Sequence, residues 1–478
     1  MPSMSFVLRA RGLSAASRAC RVPFVLVLAA IGVLGAGCAK SPQTAGDAGP
    51  GPVDADGDLA GAPRVGAVTI PLAGAHDIQP MAFGQNYWNW EPTLGNATGG
   101  TEALVRAAGV KLIRAGGANN ELETPNAFTN GELDRFVTYC KTAGAEPVIQ
   151  VPLIKNAAGA PATPDDAAAM VTYANTTMAY GVKYWSIGNE PDLYTSQSLQ
   201  PATYAATDYC ATFKAYATAM KAADPSITIL GPELSWKYVA GNDWLTPFLD
   251  GCKDFVDVVS VHRYPFAPTQ ASVTAAFTDA TNFRQLLRSL RANLDKHGMT
   301  AIPLAITEEH ITYNGEPAMS TQPASPQTFY AGMWAADVMG VALEENLWTG
   351  AFWHIADSAS GWKLAFILGQ TPAPTYYAMA TVANNFSGRM LAPTGVPAGF
   401  SVYASRDVAA AKTVVMVLNK TGAAARLSLA IEGLPPQELG FPGESLTLAT
   451  FADAAAAPTI VRYTKAMADG GVAPAPDL

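Results

Sequence analysis

Residues 182–193 read VKYWSIGNEPDL, and residues 301–309 read AIPLAITEE. Each is a short apolar run that stops abruptly at a carboxylate. Runs of β-branched and aromatic residues of this length read as buried strands. An acid is costly to bury, so it belongs at the mouth where its strand ends. Barrel proteins place their chemistry at that end of their parallel strands. Six further apolar runs flank these two: MAFGQN (81–86), VKLIRA (110–115), EPVIQV (146–151), TILGPE (228–233), VDVVSV (256–261) and TGAFWH (349–354). With KYWSIG (183–188) and PLAIT (303–307) they make eight.

Helical patterns separate the runs. In residues 131–143, Leu133, Phe136, Val137 and Cys140 follow i, i+3, i+4, i+7, and Gly144 is a stop signal. Another helix opens with Thr163 as N-cap, Pro164 at the first helical position and Asp166 in the first turn. Eight strands alternating with helices predict a (β/α)8 TIM barrel over residues 66–388. A doubly wound sheet is the alternative, but no GxGxxG follows the first strand. Beyond residue 388 the text changes. FSVYASRD, KTVVMVLNK, ARLSLAIE, ESLTLATF and TIVRYTK read as period-two strands between turns, predicting an antiparallel β-sandwich over 389–466. VGAVTI (65–70) is a candidate extra strand for it.

The N-terminus reads as an export signal, residues 1–37. Arg9, Arg11, Arg18 and Arg21 precede the apolar stretch VPFVLVLAAIGVLGAG (22–37), which is short for a membrane span. LGAGC resembles a bacterial lipoprotein signal with Cys38 as the lipidated residue, although Leu34 stands four rather than three residues before it. An ordinary cleaved secretory signal is the alternative. Residues 38–65 carry almost no large apolar side chains and read as a flexible tether. Its DADGD (54–58) lacks the rest of a calcium loop. The expected location is the cell envelope or the exterior, with membrane contact only through the lipid. Losing residues 1–37 would remove four arginines and no acid, moving the net charge of −9 four units further negative.

Half the chain is apolar (49%), ample for a large core, and no basic run exists to bind nucleic acid. Of the five cysteines, Cys20 and Cys38 belong to the signal region. Cys210 and Cys252 could pair, and Cys140 reads as a buried free thiol. No CxxC or other metal spacing occurs, so no metal site is expected, and the hydrolysis argued next needs no cofactor.

Two carboxylates at strand mouths, Glu190 and Glu308, suit cleavage of a glycosidic bond, where one acid protonates the leaving oxygen and the other attacks or activates water. GNEP after one strand and TE ending a later one resemble clan A of the glycoside hydrolases, retaining β-glycosidases on a (β/α)8 barrel. The resemblance covers residues 65–465. A barrel followed by a sandwich, with FGQN, IRAGG, GNEPD, HRYP and ITEE in that order, is similar to families 39, 44, 51 and 79.

The resemblance implies roles. Glu190, ending strand four, is the acid/base, and Glu308, ending strand seven, is the nucleophile. Glu309 is the competing assignment. Adjacent strand residues point to opposite faces, so only one of the pair can face the mouth. The TE pattern favours Glu308 and leaves Glu309 as a supporting or surface acid. Asn189 would hydrogen-bond the sugar 2-hydroxyl. Arg114 would hold the nucleophile ionised, and His262 and Tyr264 would lie beside it. Trp353 would floor the subsite of the cleaved bond. Asn86, Gln150 and Glu233 could line the mouth. Tyr87, Trp88, Trp90, Trp236 and Trp362 are candidate sugar platforms or core. The expected activity is hydrolysis of a β-linked glucan or xylan, cut internally. The alternatives are an exo-acting arabinofuranosidase or glucuronidase type, and a non-catalytic carbohydrate-binding surface lipoprotein. A serine hydrolase finds no GxSxG.

Overall fold

A computed structural model describes residues 59–477 apart from 88–99, 123–128, 239–242, 315–321, 358–363, 454 and 456. The predicted signal, Cys38, most of the tether, Trp88, Trp90 and Trp362 lie outside the described residues.

Eight parallel strands close into a barrel: Phe83–Tyr87, Leu112–Ala115, Glu146–Val151, Tyr184–Ile187, Thr228–Leu234, Val258–Arg263, Leu304–Glu309 and Thr349–Phe352. They are numbered one to eight below, in chain order, and each corresponds to one of the apolar runs. The lower interior is filled by Leu112, Val148, Tyr184, Leu230, Val258, Ala305 and Trp348. This plug makes the barrel a packed core rather than a pore, and polar side chains gather above it. Residues of the opposite parity, such as Ile113, Ile149, Trp185 and Ile229, face the helices.

The helices follow their sequence signals. Helix Asn130–Ala143 starts from a Thr129–Glu132 capping box, ends at left-handed Gly144 and buries Leu133, Phe136, Val137 and Cys140. Full burial of Phe136 alone is worth about 2–3 kcal/mol. Helix Pro164–Thr172 opens on the Thr163–Asp166 box. Cys210 and Cys252 form a disulfide between the helices flanking strand five, and Cys140 is free and buried.

The C-terminal part is a sandwich of a seven-stranded and a three-stranded sheet. Strand Arg64–Ile70 joins the smaller sheet and runs parallel to Ala425–Ile431, so the sandwich is not wholly antiparallel. The other edge of that sheet is Gln437–Phe441, a strand the sequence reading did not anticipate. Strand Lys412–Asn419 departs from strict alternation because both its faces are covered. Val415 and Val417 pack on the smaller sheet, while Val414, Met416 and Leu418 join the barrel-side core. Helix Phe329–Glu344 lies against the sandwich there and is buried along nearly its whole length. Its Asp337 accepts from Tyr403 (2.6 Å) and pairs with Lys420 (2.9 Å).

Candidate active site

Three carboxylates reach the barrel mouth, each through an irregularity in its strand. Glu190 follows strand four in a left-handed conformation (φ 48°), and its N–H donates to the Glu233 carbonyl (3.0 Å). Gly188 precedes it at φ 76°, and a Cβ there would lie 2.6 Å from Leu153 Cδ1. Glycine is thus required both by conformation and by space. Glu233 lies at a bulge in strand five, where Pro232 and Leu234 pair with consecutive residues Ser260 and Val261. Its own φ is 56°. Strand seven bulges too: Val261 and His262 pair with Ile306 and Glu308, so Thr307 is the extra residue.

That last bulge decides between the neighbouring acids. Ala305 faces the barrel interior, so strict alternation would aim Thr307 and Glu309 inward. The extra residue resets the parity, and Thr307 and Glu308 both face inward. Glu309 points to the helical layer, 1% exposed, where Arg263 and Asp279 are its charged surroundings. It is a buried acid, not a surface one. Burial pushes its pKa up to about 7, with Arg263 opposing.

Arg114, on strand two, is wholly buried at the centre. Its Nη1 donates to Glu308 Oε1 (2.8 Å) and Asn86 Oδ1 (3.1 Å). Its Nη2 donates to Asn189 Oδ1 (2.8 Å) and lies 3.2 Å from Glu233 Oε2. Burial alone would lower its pKa, but Glu233 and then Glu308 more than reverse this, so the guanidinium stays charged. Asn86 spends its NH2 on the carbonyls of Thr307, Ala351 and Phe352, bracing strands seven and eight. The Tyr264 hydroxyl donates to Glu308 Oε2 (2.9 Å).

His262 stands between the acids. Its Nδ1 is 3.1 Å from Glu190 Oε1 and 3.6 Å from Glu308 Oε2, and its Nε2 is 3.0 Å from Glu233 Oε2. Burial would lower its pKa. The charge of Glu308 and the contacts with Glu190 and Glu233 override this and raise it to about 10. Glu233 is pushed up by burial but pulled down to about 2, first by Arg114 and then by His262. Among the described residues, Glu190, His262 and Glu308 also converge closely enough to ligate a cation, all three within 4.8 Å. A charged His262 and the Arg114 guanidinium both oppose a metal there.

Trp353 is 8% exposed and its ring covers Gly117. Gln150 takes the Gly117 N–H (2.6 Å) and donates to Glu121 Oε1 (2.8 Å). Glu121, which no motif marked, is a buried acid raised to about 7 by desolvation. It accepts from the N–H groups of Leu153 and Ile154. Tyr87 belongs to the core, packed on Phe136 and Tyr139. Asp192 was also unmarked. Its carboxylate accepts from Ser235 N (3.0 Å), Ser235 Oγ (2.7 Å), Trp236 N (3.3 Å) and Lys237 N (3.2 Å). It thereby fixes the loop after strand five, on which Trp236 is 47% exposed. The only advance signal for it was its place in GNEPD.

The profile of Glycoside hydrolase family 44 matches residues 156–257, the segment that holds Glu190 and Glu233. No curated protein sequence matches. Among solved structures, a family 51 α-L-arabinofuranosidase from Bifidobacterium longum shares the fold at TM-score 0.63 and 17% identity, covering 80% of this chain and 99% of its own. A bifunctional glucanase-xylanase from a metagenome library gives TM-score 0.63 and 17% identity, over 81% and 99%. A family 44 xyloglucanase from Paenibacillus polymyxa gives 0.59 and 13%, over 80% and 98%.

Proposed function

We propose that this chain, a glycoside hydrolase on the clan A barrel, works by retention and cuts a β-linked polysaccharide internally. One observation supports the mechanism: His262 Nδ1 reaches both acids, 3.1 Å from Glu190 and 3.6 Å from Glu308, and an oxygen of each lies within 4.8 Å of the other, so the two carboxyl groups stand close together. Retaining enzymes hold their carboxyl groups about 5–5.5 Å apart, whereas inverting ones need about 6.5–9.5 Å to admit water. Arg114 and Tyr264 donate to Glu308 and favour its anion, the form that attacks the anomeric carbon. Glu190 is the more exposed of the two, and it protonates the leaving oxygen. Water then cleaves the glycosyl ester with Glu190 as base. Asn189 gives its carbonyl oxygen to Arg114, so its NH2 is the group turned to the sugar 2-hydroxyl. Trp353 forms the floor.

The internal cut on a glucan or xylan is supported by the family 44 match and by Trp236, held on the Glu190 side where a continuing chain would run. The likeness to arabinofuranosidases supports an exo-acting alternative. Export is part of the proposal. The Cys210–Cys252 disulfide suits an oxidising compartment, and Cys38 is the residue proposed to carry lipid.

The test is reducing-sugar release from β-glucan, xylan, xyloglucan and arabinan by the whole chain, alongside Glu308→Ala and Glu309→Ala, with the first-formed anomer read by NMR. Retained configuration, loss in Glu308→Ala alone and a ladder of oligosaccharides are expected. An inverted product would sink the mechanism. Monosaccharide as sole product would move the substrate to the exo reading. Binding without turnover by the unsubstituted chain would refute both.

A further inference from the structure

Glu233 is a fourth charged group in the cluster and has no role in the two-carboxylate scheme. Every partner it has can donate. Ser260 Oγ donates to Oε1 (2.8 Å), and Oε2 receives Thr307 Oγ1 (2.7 Å) and His262 Nε2 (3.0 Å), with Arg114 Nη2 at 3.2 Å. Four groups able to donate, one of them the Arg114 guanidinium that can only donate, converge on its two oxygens, and this arrangement is best satisfied by a Glu233 anion. Nε2 of His262 must then carry hydrogen. Nδ1 faces one oxygen of Glu190 and, slightly farther away, one of Glu308.

With Arg114 and His262 positive and Glu233 and Glu308 negative, the buried cluster is neutral when Glu190 holds its proton. In the first chemical step Glu308 forms a C–O bond to the anomeric carbon and loses its charge. The glycosidic C–O bond breaks, and the leaving oxygen takes the Glu190 proton, so Glu190 gains that charge. Negative charge thus passes from one side of His262 to the other.

We propose that Glu233 is a positioning residue that keeps His262 a fixed cation between the two acids, its Nδ1–H hydrogen-bonded to Glu190 and close to Glu308, so that one charge serves whichever of them is the anion. The proton stays on Nδ1 throughout. What changes is which acid carries the negative charge, Glu308 first and Glu190 next, with the return when water cleaves the ester. The cation follows the charge without moving through the protein, a preorganised form of stabilisation. The proposal rests on the retaining reading for its catalytic meaning, but not for its test. The groups facing the ring are Glu190 after strand four, Glu233 on strand five, Glu308 on strand seven, Arg114 across the mouth on strand two and Tyr264 beyond its own strand. Tyr238 donates to the His262 carbonyl (2.6 Å). Burial opposes a charged ring, and the charge of Glu308 with the hydrogen bonds to Glu190 and Glu233 outweighs it.

The experiment is ¹⁵N NMR of the whole chain labelled at histidine, without substrate. His262→Gln identifies the signal among five histidines. His310 and His354, lowered to about 3 by burial, stay neutral and do not interfere. His262 is expected to show two protonated nitrogens at pH 8, and Glu233→Gln is expected to turn it into a neutral tautomer between pH 6 and 8. A parent His262 that is neutral at pH 8 overturns the proposal, as does one that stays charged in Glu233→Gln. Should that variant not fold, the parent spectrum still decides, by a charged ring or a neutral one. Reaction stereochemistry and Glu308→Ala test the retaining reading separately, so either can fail alone.

Discussion

Glu308 and Glu309 are consecutive residues of one strand, yet they lie on opposite sides of the barrel wall. Glu308 meets Arg114 in the mouth, and Glu309 is sealed beneath the helices near the Arg263–Asp279 pair (2.6 Å). Arg263 also stacks over Phe283, 4.3 Å from the ring centroid. The separation makes stability and chemistry independent at these two positions.

Glu309 should make the fold less stable as pH rises. Its pKa in the folded state is about 7, against an ordinary 4.5. Between those values the unfolded chain releases the proton that the folded chain retains, so stability falls across that window and is flat above it. Glu309→Gln should remove up to about 3 kcal/mol of that fall. Glu121 and, above its ordinary 6.5, His262 share the direction and will leave a residual slope. Denaturant unfolding at pH 5 and pH 8 measures it. A parent whose stability does not decline over this interval, or a variant with the parent's slope, would refute the assignment.

Gly117 supports Trp353 from below. Its φ is 107°, and a Cβ would lie 2.8 Å from the ring edge at Cη2. Gly117→Ala therefore strains the backbone and tilts the proposed floor of the sugar site. Turnover on the preferred polysaccharide should fall about 10- to 100-fold in kcat/KM, as expected when a reacting group is misplaced. Thermal unfolding should move less than in a core truncation. Unchanged kinetics would show that Trp353 does not carry the sugar.

The disulfide clips together helices Ala206–Ala223 and Leu245–Cys252, which brace strand five and hence Glu233. The cysteines are 42 residues apart, and a loop of that size is worth about 3–4 kcal/mol in the chain-entropy account. The paired change Cys210→Ser with Cys252→Ser should lower the unfolding free energy by roughly that much. Reductant should do the same to the parent and nothing further to the variant. Equal stability with and without reductant would mean that the thiols are not joined in solution.

Much of this was readable in advance because strands and caps are local. The eight apolar runs mark the barrel strands, and Thr163 and Gly144 announce their helix ends. The seating of strand seven was not readable. Ala305 inside and period two would select Glu309, and only the bulge at Thr307, a property of pairing between strands, selects Glu308. Glu121, Ser260 and Thr307 escaped notice for a related reason. Each acts through a partner far away in sequence, and a lone polar residue, whether in an apolar strand (Ser260, Thr307) or in a short helix (Glu121), carries no label. Strand Lys412–Asn419 was legible as a strand but not as one covered on both faces, since its second cover is a barrel helix.

Trp236 offers the sharpest test of an internal cut. Asp192 stands two residues after Glu190 and holds the backbone of residues 235–237, while Lys237 Nζ lies 6.0 Å from the Trp236 ring centroid. The aromatic face is thus exposed but not loose, which suits stacking on a sugar beyond the cleaved bond. One such ring contributes roughly 0.5–1.5 kcal/mol, so Trp236→Ala should raise KM on a polysaccharide about 2- to 10-fold. A small aryl glycoside reaches only one ring past Glu190 and should be affected less. Equal effects on polymer and aryl substrate would place Trp236 at the cleaved bond itself. No effect on either would make it ordinary surface, and the exo-acting alternative would then be favoured. Asp192→Ala frees the same loop without removing the ring, and should reproduce the KM rise in part if the loop's fixed position is what matters.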